Sequence, residues 1–166
     1  MRNQKGFTLI ELIIVIVVLG ILAVTAAPQF FNFSGDARES AVKGLKGNIQ
    51  GAYQTVYAKA AVEGKLAGTA DSLTKVEDIQ TIYGYPAAVD DTGAIITDGI
   101  IEAATLSDAD WDWAVSTNSS DDTIVIAPAG YGTDDSVAEG CYVTYQQTDS
   151  ADTPPTVAIN VEGCSN

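Results

Sequence analysis

Hydrophobic and polar residues follow three different patterns along the chain. From Phe7 to Ala27 the residues are almost uniformly apolar, with Glu11 as the only charge. Past Pro28 the pattern turns periodic: Phe30, Phe33, Ala37, Ala41, Leu45, Ile49, Ala52 or Tyr53, Val56 and Ala60 recur in steps of three and four. That spacing places them on one face of a helix, with Asp36, Glu39, Lys43, Lys46, Gln50, Gln54 and Glu63 largely elsewhere. The two stretches together predict one helix from about residue 8 to Glu63, ended by Gly64. Its first half is apolar all round and its second half amphipathic. Pro28 costs about 3 kcal/mol in a helix interior, and Gly20, Gly35, Gly44, Gly47 and Gly51 up to about 1 kcal/mol each. Gly44, Gly47 and Gly51 would let a sheet approach the helix.

The remainder alternates on a shorter period. Residues Leu66 to Thr105 read as a connection with short helical pieces, one capped by Ser72 and running to Ile82, another capped by Asp98 around Ile100 to Ala104. Tyr83-Gly84-Tyr85-Pro86 reads as a turn. Four strands follow, at Trp111–Ser116, Thr123–Ala127, Cys141–Gln147 and Thr156–Val161, with Val157, Ile159 and Val161 facing one way. They predict an antiparallel sheet with one covered face, the amphipathic half-helix being the natural cover. The fold class is α+β: a long N-terminal helix packed on a small antiparallel β-sheet head.

Charge changes this picture in two places. Eight basic residues stand against 22 acidic ones, and the last base is Lys75. Such an acidic head repels phosphate, which excludes non-specific nucleic-acid binding. The chain has no histidine, so the commonest general base is missing. No nucleophile–base set, phosphate loop or clustered metal-ligand spacing occurs, and neither an enzyme nor a cofactor is expected. Asp108, Asp110 and Asp112 have the spacing that opens a calcium loop, but Trp113 and Ser119 occupy the positions that need Gly and Glu. These residues, Asp121-Asp122 and Asp134-Asp135 read as solvated acidic turns, and no metal is assigned. Trp111 and Trp113 are core aromatics by default.

The second place is the N-terminus. As a helix, the 21 residues from Phe7 to Ala27 reach roughly 31 Å, enough for a bilayer core. Arg2 and Lys5 hold the start in the cytoplasm and place the rest beyond the membrane. A plain anchor, or a signal peptide cut after Ala23, Ala26 or Ala27, fits these facts too. Glu11 argues for more, because a carboxylate in hydrocarbon costs about 2.5–3.5 kcal/mol. A cut between Gly6 and Phe7 would create an α-amino group on Phe7 for a neighbour's Glu11 to neutralise. Cys141 and Cys164, the only cysteines, read as a disulfide outside the cytoplasm. It would contribute about 3 kcal/mol on the chain-entropy model.

Lys5-Gly6-Phe7-Thr8-Leu9-Ile10-Glu11-Leu12 with its apolar sequel resembles the class III signal of type IV pilins and pseudopilins. The resemblance implies that a prepilin peptidase cuts after Gly6 and N-methylates Phe7, and that Glu11 aligns incoming subunits. It implies that Gly20 to Pro28 loses helical form within the filament. It divides the chain into a removed leader at 1–6, a helix at 7–63 whose residues 7–27 form the membrane and filament core, and a head at 64–166 with a C-terminal disulfide loop. The second helix proline that several family members carry is absent; Asn48 is near its expected place. Tyr83-Gly84-Tyr85-Pro86, Asp110-Trp111-Asp112-Trp113 and Lys43-Gly44-Leu45-Lys46-Gly47 are similar to the mannose-sensitive haemagglutinin (MSHA) pilin group.

The resulting expectation is the structural subunit of a homopolymeric type IV pilus (fimbrium), used in surface attachment and biofilm formation. Its implied partners are the prepilin peptidase, the pilus assembly machinery, the inner membrane before assembly, and surface glycans or phage afterwards. The bacterial inner membrane and then the extracellular pilus are its implied locations. Two rivals stand beside it: a pseudopilin of a type II secretion system, and a membrane-anchored sugar-binding module. Arg38, Lys43, Lys46, Lys59, Lys65 and Lys75 lie at or near the helix, and are expected to pair in part with carboxylates on neighbouring heads.

Overall fold

The computed structural model describes residues 6–118, 122–135 and 140–165, and within these the side chains of 26–32 lie outside the description. Helix α1 runs unbroken from Leu9 to Glu63. Thr8 caps its start in extended conformation, and Gly64 ends it at φ 70° in the left-handed region, its N–H donating to the Ala60 and Ala61 carbonyls. Only glycine holds that conformation without strain. The helix passes through Pro28 and through Asn48 without interruption. Asn48 Nδ2 donates to the Ala104 carbonyl at 2.8 Å, tethering helix to head.

The head-facing stripe of α1 differs in part from the expected one. Gly35, Val42, Leu45, Ile49 and Ala60 are buried, whereas Phe33, Ala37 and Ala41 are exposed. The reason is phase. Each step of four overshoots the 3.6-residue repeat by about 40°, so stepping back from Leu45 to Phe33 rotates off the stripe by about 120°. Val42 and Gly35 keep the true repeat. Gly44, Gly47 and Gly51 are exposed with open space where a Cβ would stand, so no sheet approaches them. Gly35 is the stalk glycine against which the chain packs: a Cβ there would lie 2.8 Å from Ser165 Cα.

Two antiparallel sheets form the head. The first comprises β1 (Thr74–Val76), β2 (Ile79–Ile82) and β3 (Tyr85–Pro86) in that order. This corrects the helix expected after Ser72. Thr74, Val76, Ile79, Thr81 and Ile82 are β-branched and favour a pleated strand, with Val76, Thr81 and Ile82 buried. Ser72 instead makes a backbone bridge with Thr69. Tyr83 and Gly84 form the expected turn between Ile82 and Tyr85, at φ 50° and 82°. Positive φ at both central residues suits the twist of a two-residue hairpin. Gly84 sits against Tyr57 and Ala60 of α1, and the Tyr57 and Tyr85 rings stack at 4.4 Å.

The segment expected to follow an Asp98 cap is a wide helical turn, Thr97–Ile101, that departs from helical geometry at Asp98 and Gly99. A Cβ on Gly99 would fall 2.0 Å from the Ala87 carbonyl oxygen, so the backbones touch there. Asp98 does not cap; its carboxylate accepts from Lys75 at 3.0 Å and Gln80 at 2.6 Å.

The second sheet has order β4 (Trp111–Val115), β5 (Thr123–Pro128), β6 (Tyr142–Gln146), β7 (Thr156–Asn160). The four strands fall where they are expected, to within a residue or two at their ends. Val42, Leu45 and Ile49 of α1 share one core with Ile124, Ile126, Val143 and Tyr145, and Trp111, Trp113, Val157, Ile159 and Val161 pack against it. Burial of these side chains is the main stabilising term, at about 25 cal/mol per Å² of apolar surface. β6 and its continuation join the two sheets. Tyr145 Oη donates to the Pro86 carbonyl at 2.7 Å, and Gln147 Oε1 accepts from the Ala88 and Val89 amides at 2.8 and 3.1 Å. The structure therefore has the expected α+β architecture.

Candidate assembly surface

Before α1 begins, Gly6 to Thr8 form an exposed extended lead-in, with Phe7 88% exposed. Thr8 and Glu11 make a reciprocal cap. The Glu11 amide donates to Thr8 Oγ1 at 3.3 Å, while the Thr8 amide and hydroxyl donate to Glu11 Oε2 at 2.9 and 2.8 Å. A carboxylate here also faces the positive end of the helix dipole. Glu11, read from sequence as a lone charge, thus has a partner within its own chain. Thr8-x-x-Glu11 ahead of an apolar run is a capping-box signature, and that signal was present in the sequence.

From Leu9 to Val24 the helix surface is apolar and open to solvent: Leu9, Ile10, Leu12, Ile16, Leu19, Ile21 and Val24 are all more than half exposed. Among the described residues nothing of the head covers them. So large an exposed apolar surface marks a place of association with lipid or protein. Among the described residues no helix is long and apolar enough to cross a membrane. Gly20 has open space around it. For Pro28, only its place in the helix is described.

The opposite end of the chain closes on the same helix. Cys141 and Cys164 form the expected disulfide, with Cα atoms 4.7 Å apart. Both are buried, and a 3₁₀ turn at Glu162–Ser165 carries Cys164 to α1. There Arg38 Nε donates to the Cys164 carbonyl at 2.7 Å, and the guanidinium lies 4.6 Å from the Tyr131 ring centre.

Four of the six bases at or near the helix also have a carboxylate partner within this chain. Lys43 pairs with Glu39, Lys59 with Glu63 and Glu77, Lys65 with Glu63, and Lys75 with Asp98. These exposed pairs contribute little to stability. The Lys75 ammonium is the main reason Asp98 titrates below the usual carboxylate range.

The acidic turns are explained locally. Asp112 accepts from the Gly130 amide at 2.8 Å. Burial works to raise Asp135, but hydrogen bonds from Ser116 and from the Thr117 amide and hydroxyl hold it below its ordinary value. Ser119 and Asp121 lie outside the described residues. Among the described residues no group of three or more His, Cys, Asp or Glu is placed to hold a metal ion.

Residues 1–27 match the prokaryotic N-terminal methylation motif. The type IV narrow pilus major component PilA5 of Thermus thermophilus is 32% identical over 128 residues, covering 77% of this chain and 90% of that protein. A type IV major fimbrial protein of Dichelobacter nodosus is 32% identical over 108 residues, covering 56% of this chain and 69% of its own. The type II secretion system core protein G of Pseudomonas aeruginosa is 46% identical over 43 residues, 26% of this chain and 30% of that one. No solved structure matches the chain. A capped apolar helix standing clear of an α+β head, with relatives that span most of its length, makes the chain a member of the type IV pilin family.

Proposed function

We propose that this chain is the structural, non-enzymatic subunit of a type IV pilus, assembled through the exposed apolar half of α1. The carrying observation is that Leu9 to Val24 stay open to solvent while the second half of the same helix packs one face, Val42, Leu45 and Ile49, under the head. In the inner membrane, lipid covers the first half; in the filament, neighbouring helices do. The leader, residues 1–6, is removed by a prepilin peptidase, and Phe7 is N-methylated. Residues 7–63 form the helix, with 7–27 the membrane and filament core, and 64–166 the head.

Glu11 then exchanges its Thr8 donors for the α-amino group of a neighbour's Phe7, which favours one stagger between subunits over the others. Gly20 and Pro28 weaken the helix over the end of the core segment, from Gly20 to Pro28, where the fibre loosens. The assembled pilus carries acidic heads on its surface and serves in attachment and biofilm formation, with glycans or phage as ligands. Membership of the MSHA group belongs to this proposal, supported by the Tyr83–Pro86 turn and the Trp111-Asp112-Trp113 strand.

The test is the intact mass of the purified protein before and after reduction and alkylation. Loss of residues 1–6, one added methyl and no alkylation until reduction are expected. An unprocessed N-terminus in a host with active prepilin peptidase refutes the filament reading. The short match to core protein G favours a second reading, a type II secretion pseudopilin. Long fibres sheared from the cell surface and labelled by antibody to this chain separate the pilus from that alternative.

A further inference from the structure

We propose that the C-terminal turn is a redox-latched clasp that fixes the helix at the boundary between exposed stalk and head. Three contacts converge there. Ser165 lies so close to Gly35 that a Cβ on the glycine would come within 2.8 Å of its Cα. The Cys164 carbonyl accepts from Arg38 Nε at 2.7 Å. The Arg38 guanidinium lies over Tyr131 at 4.6 Å, so one side chain joins helix, C-terminal turn and the loop after β5. Charge-assisted and cation–π contacts of this kind strengthen as water is excluded.

The disulfide holds the turn in reach. Cys141 stands at the entry to β6, and the Gly163 amide donates to the Gly140 carbonyl at 3.1 Å, so the turn is anchored to the head by one covalent and one hydrogen bond. Reduction removes the covalent one. A dithiol reductant gives up two hydrogens and becomes a disulfide, while Cys141 and Cys164 each gain one and become thiols. The segment after β7 is then held by noncovalent contacts alone, and Arg38 loses a fixed acceptor. The helix turn from Gly35 to Arg38 is released from the head while Val42, Leu45 and Ile49 remain packed. The coupling is reciprocal: a clasp that holds the turn closed also shields the sulfur atoms, Cys164 being 1% exposed.

That reciprocity supplies the test, on full-length protein in detergent. Thiol release by dithiothreitol is timed for wild type, Arg38→Gln, Tyr131→Ala and Lys43→Gln, and amide exchange over residues 35–38 is measured before and after reduction. Expected are thiol release about tenfold faster in Arg38→Gln, a smaller acceleration in Tyr131→Ala, and no change in Lys43→Gln. Reduction should speed exchange at 35–38 and leave β5 and β6 protected. Equal release rates in wild type and Arg38→Gln overturn the proposal. So does exchange at 35–38 that reduction leaves unchanged, or that rises only together with β5 and β6.

Discussion

Replacing Gly44, Gly47 and Gly51 together by alanine should stabilise the isolated subunit. Each lies in the helix interior, on a face turned from the head, with nothing within 4 Å of an added Cβ. Alanine therefore removes only the entropic cost of glycine, about 0.5–1 kcal/mol per site. The three sites stand one helical turn apart, so their sum, about 1.5–3 kcal/mol, is the upper end of the gain. For a chain of this size, that raises the melting temperature by roughly 3–12 °C. The assay is thermal unfolding of the full chain in detergent, followed by far-ultraviolet circular dichroism. Gly35→Ala is the control of opposite sign, since its new methyl meets the Ser165 backbone. A triple variant that melts lower than wild type refutes the reasoning, because it would mean that something within the subunit covers that face. A triple variant that is more stable yet forms no fibres would assign the open face to contacts between subunits.

Ile49→Ala removes a fully buried side chain shared by helix and sheet, and should destabilise by about 2–5 kcal/mol in urea titration. Gln147→Ala leaves the buried Ala88 and Val89 amides without their acceptor; a loss of about 1–3 kcal/mol per amide is expected, read in the same titration. Tyr145→Phe deletes the donor to Pro86 and should cost about 1 kcal/mol near neutral pH. Burial, reinforced by Tyr53 and Tyr85, pushes the Tyr145 hydroxyl well above its ordinary value of 10.0. Below that value the contribution is fully present. As pH rises past it, the unfolded chain releases a proton that the folded one keeps, and stability falls. Melts across alkaline pH should show that decline shrinking in Tyr145→Phe.

The long helix was legible because an apolar run passes directly into a helical period that Gly64 ends, while the Thr8–Glu11 cap at its start stood in the sequence unread. The four long strands were legible from their β-branched and aromatic runs: β6 alternates in burial as in sequence, while β5 is an apolar run buried at five successive positions. The hairpin after Ser72 was not, because a serine ahead of mixed residues also suits a helix cap, and only β-branching at Thr74, Val76, Thr81 and Ile82 argued otherwise. The head-facing stripe was misread by accumulated phase: Ala41 and Val42 are neighbours, and only a partner surface decides which one turns inward. Arg38 was read only as one of the bases at the helix, because its acceptor, the Cys164 carbonyl, is 126 residues away. A backbone acceptor at that range leaves no mark in the sequence.

The grip of the head on α1 also has a mechanical consequence. Its attachments are spread along the axis: Gly35 and Arg38 at one end, Asn48 midway, Tyr57 and Ala60 under the Gly84 turn at the other. Twenty-five helical residues separate the extremes, about 38 Å. Tension along the helix loads these attachments in parallel, as shear, so they yield collectively. Tension across it would peel them one after another. A fibre pulled lengthwise therefore meets each head along its strong direction.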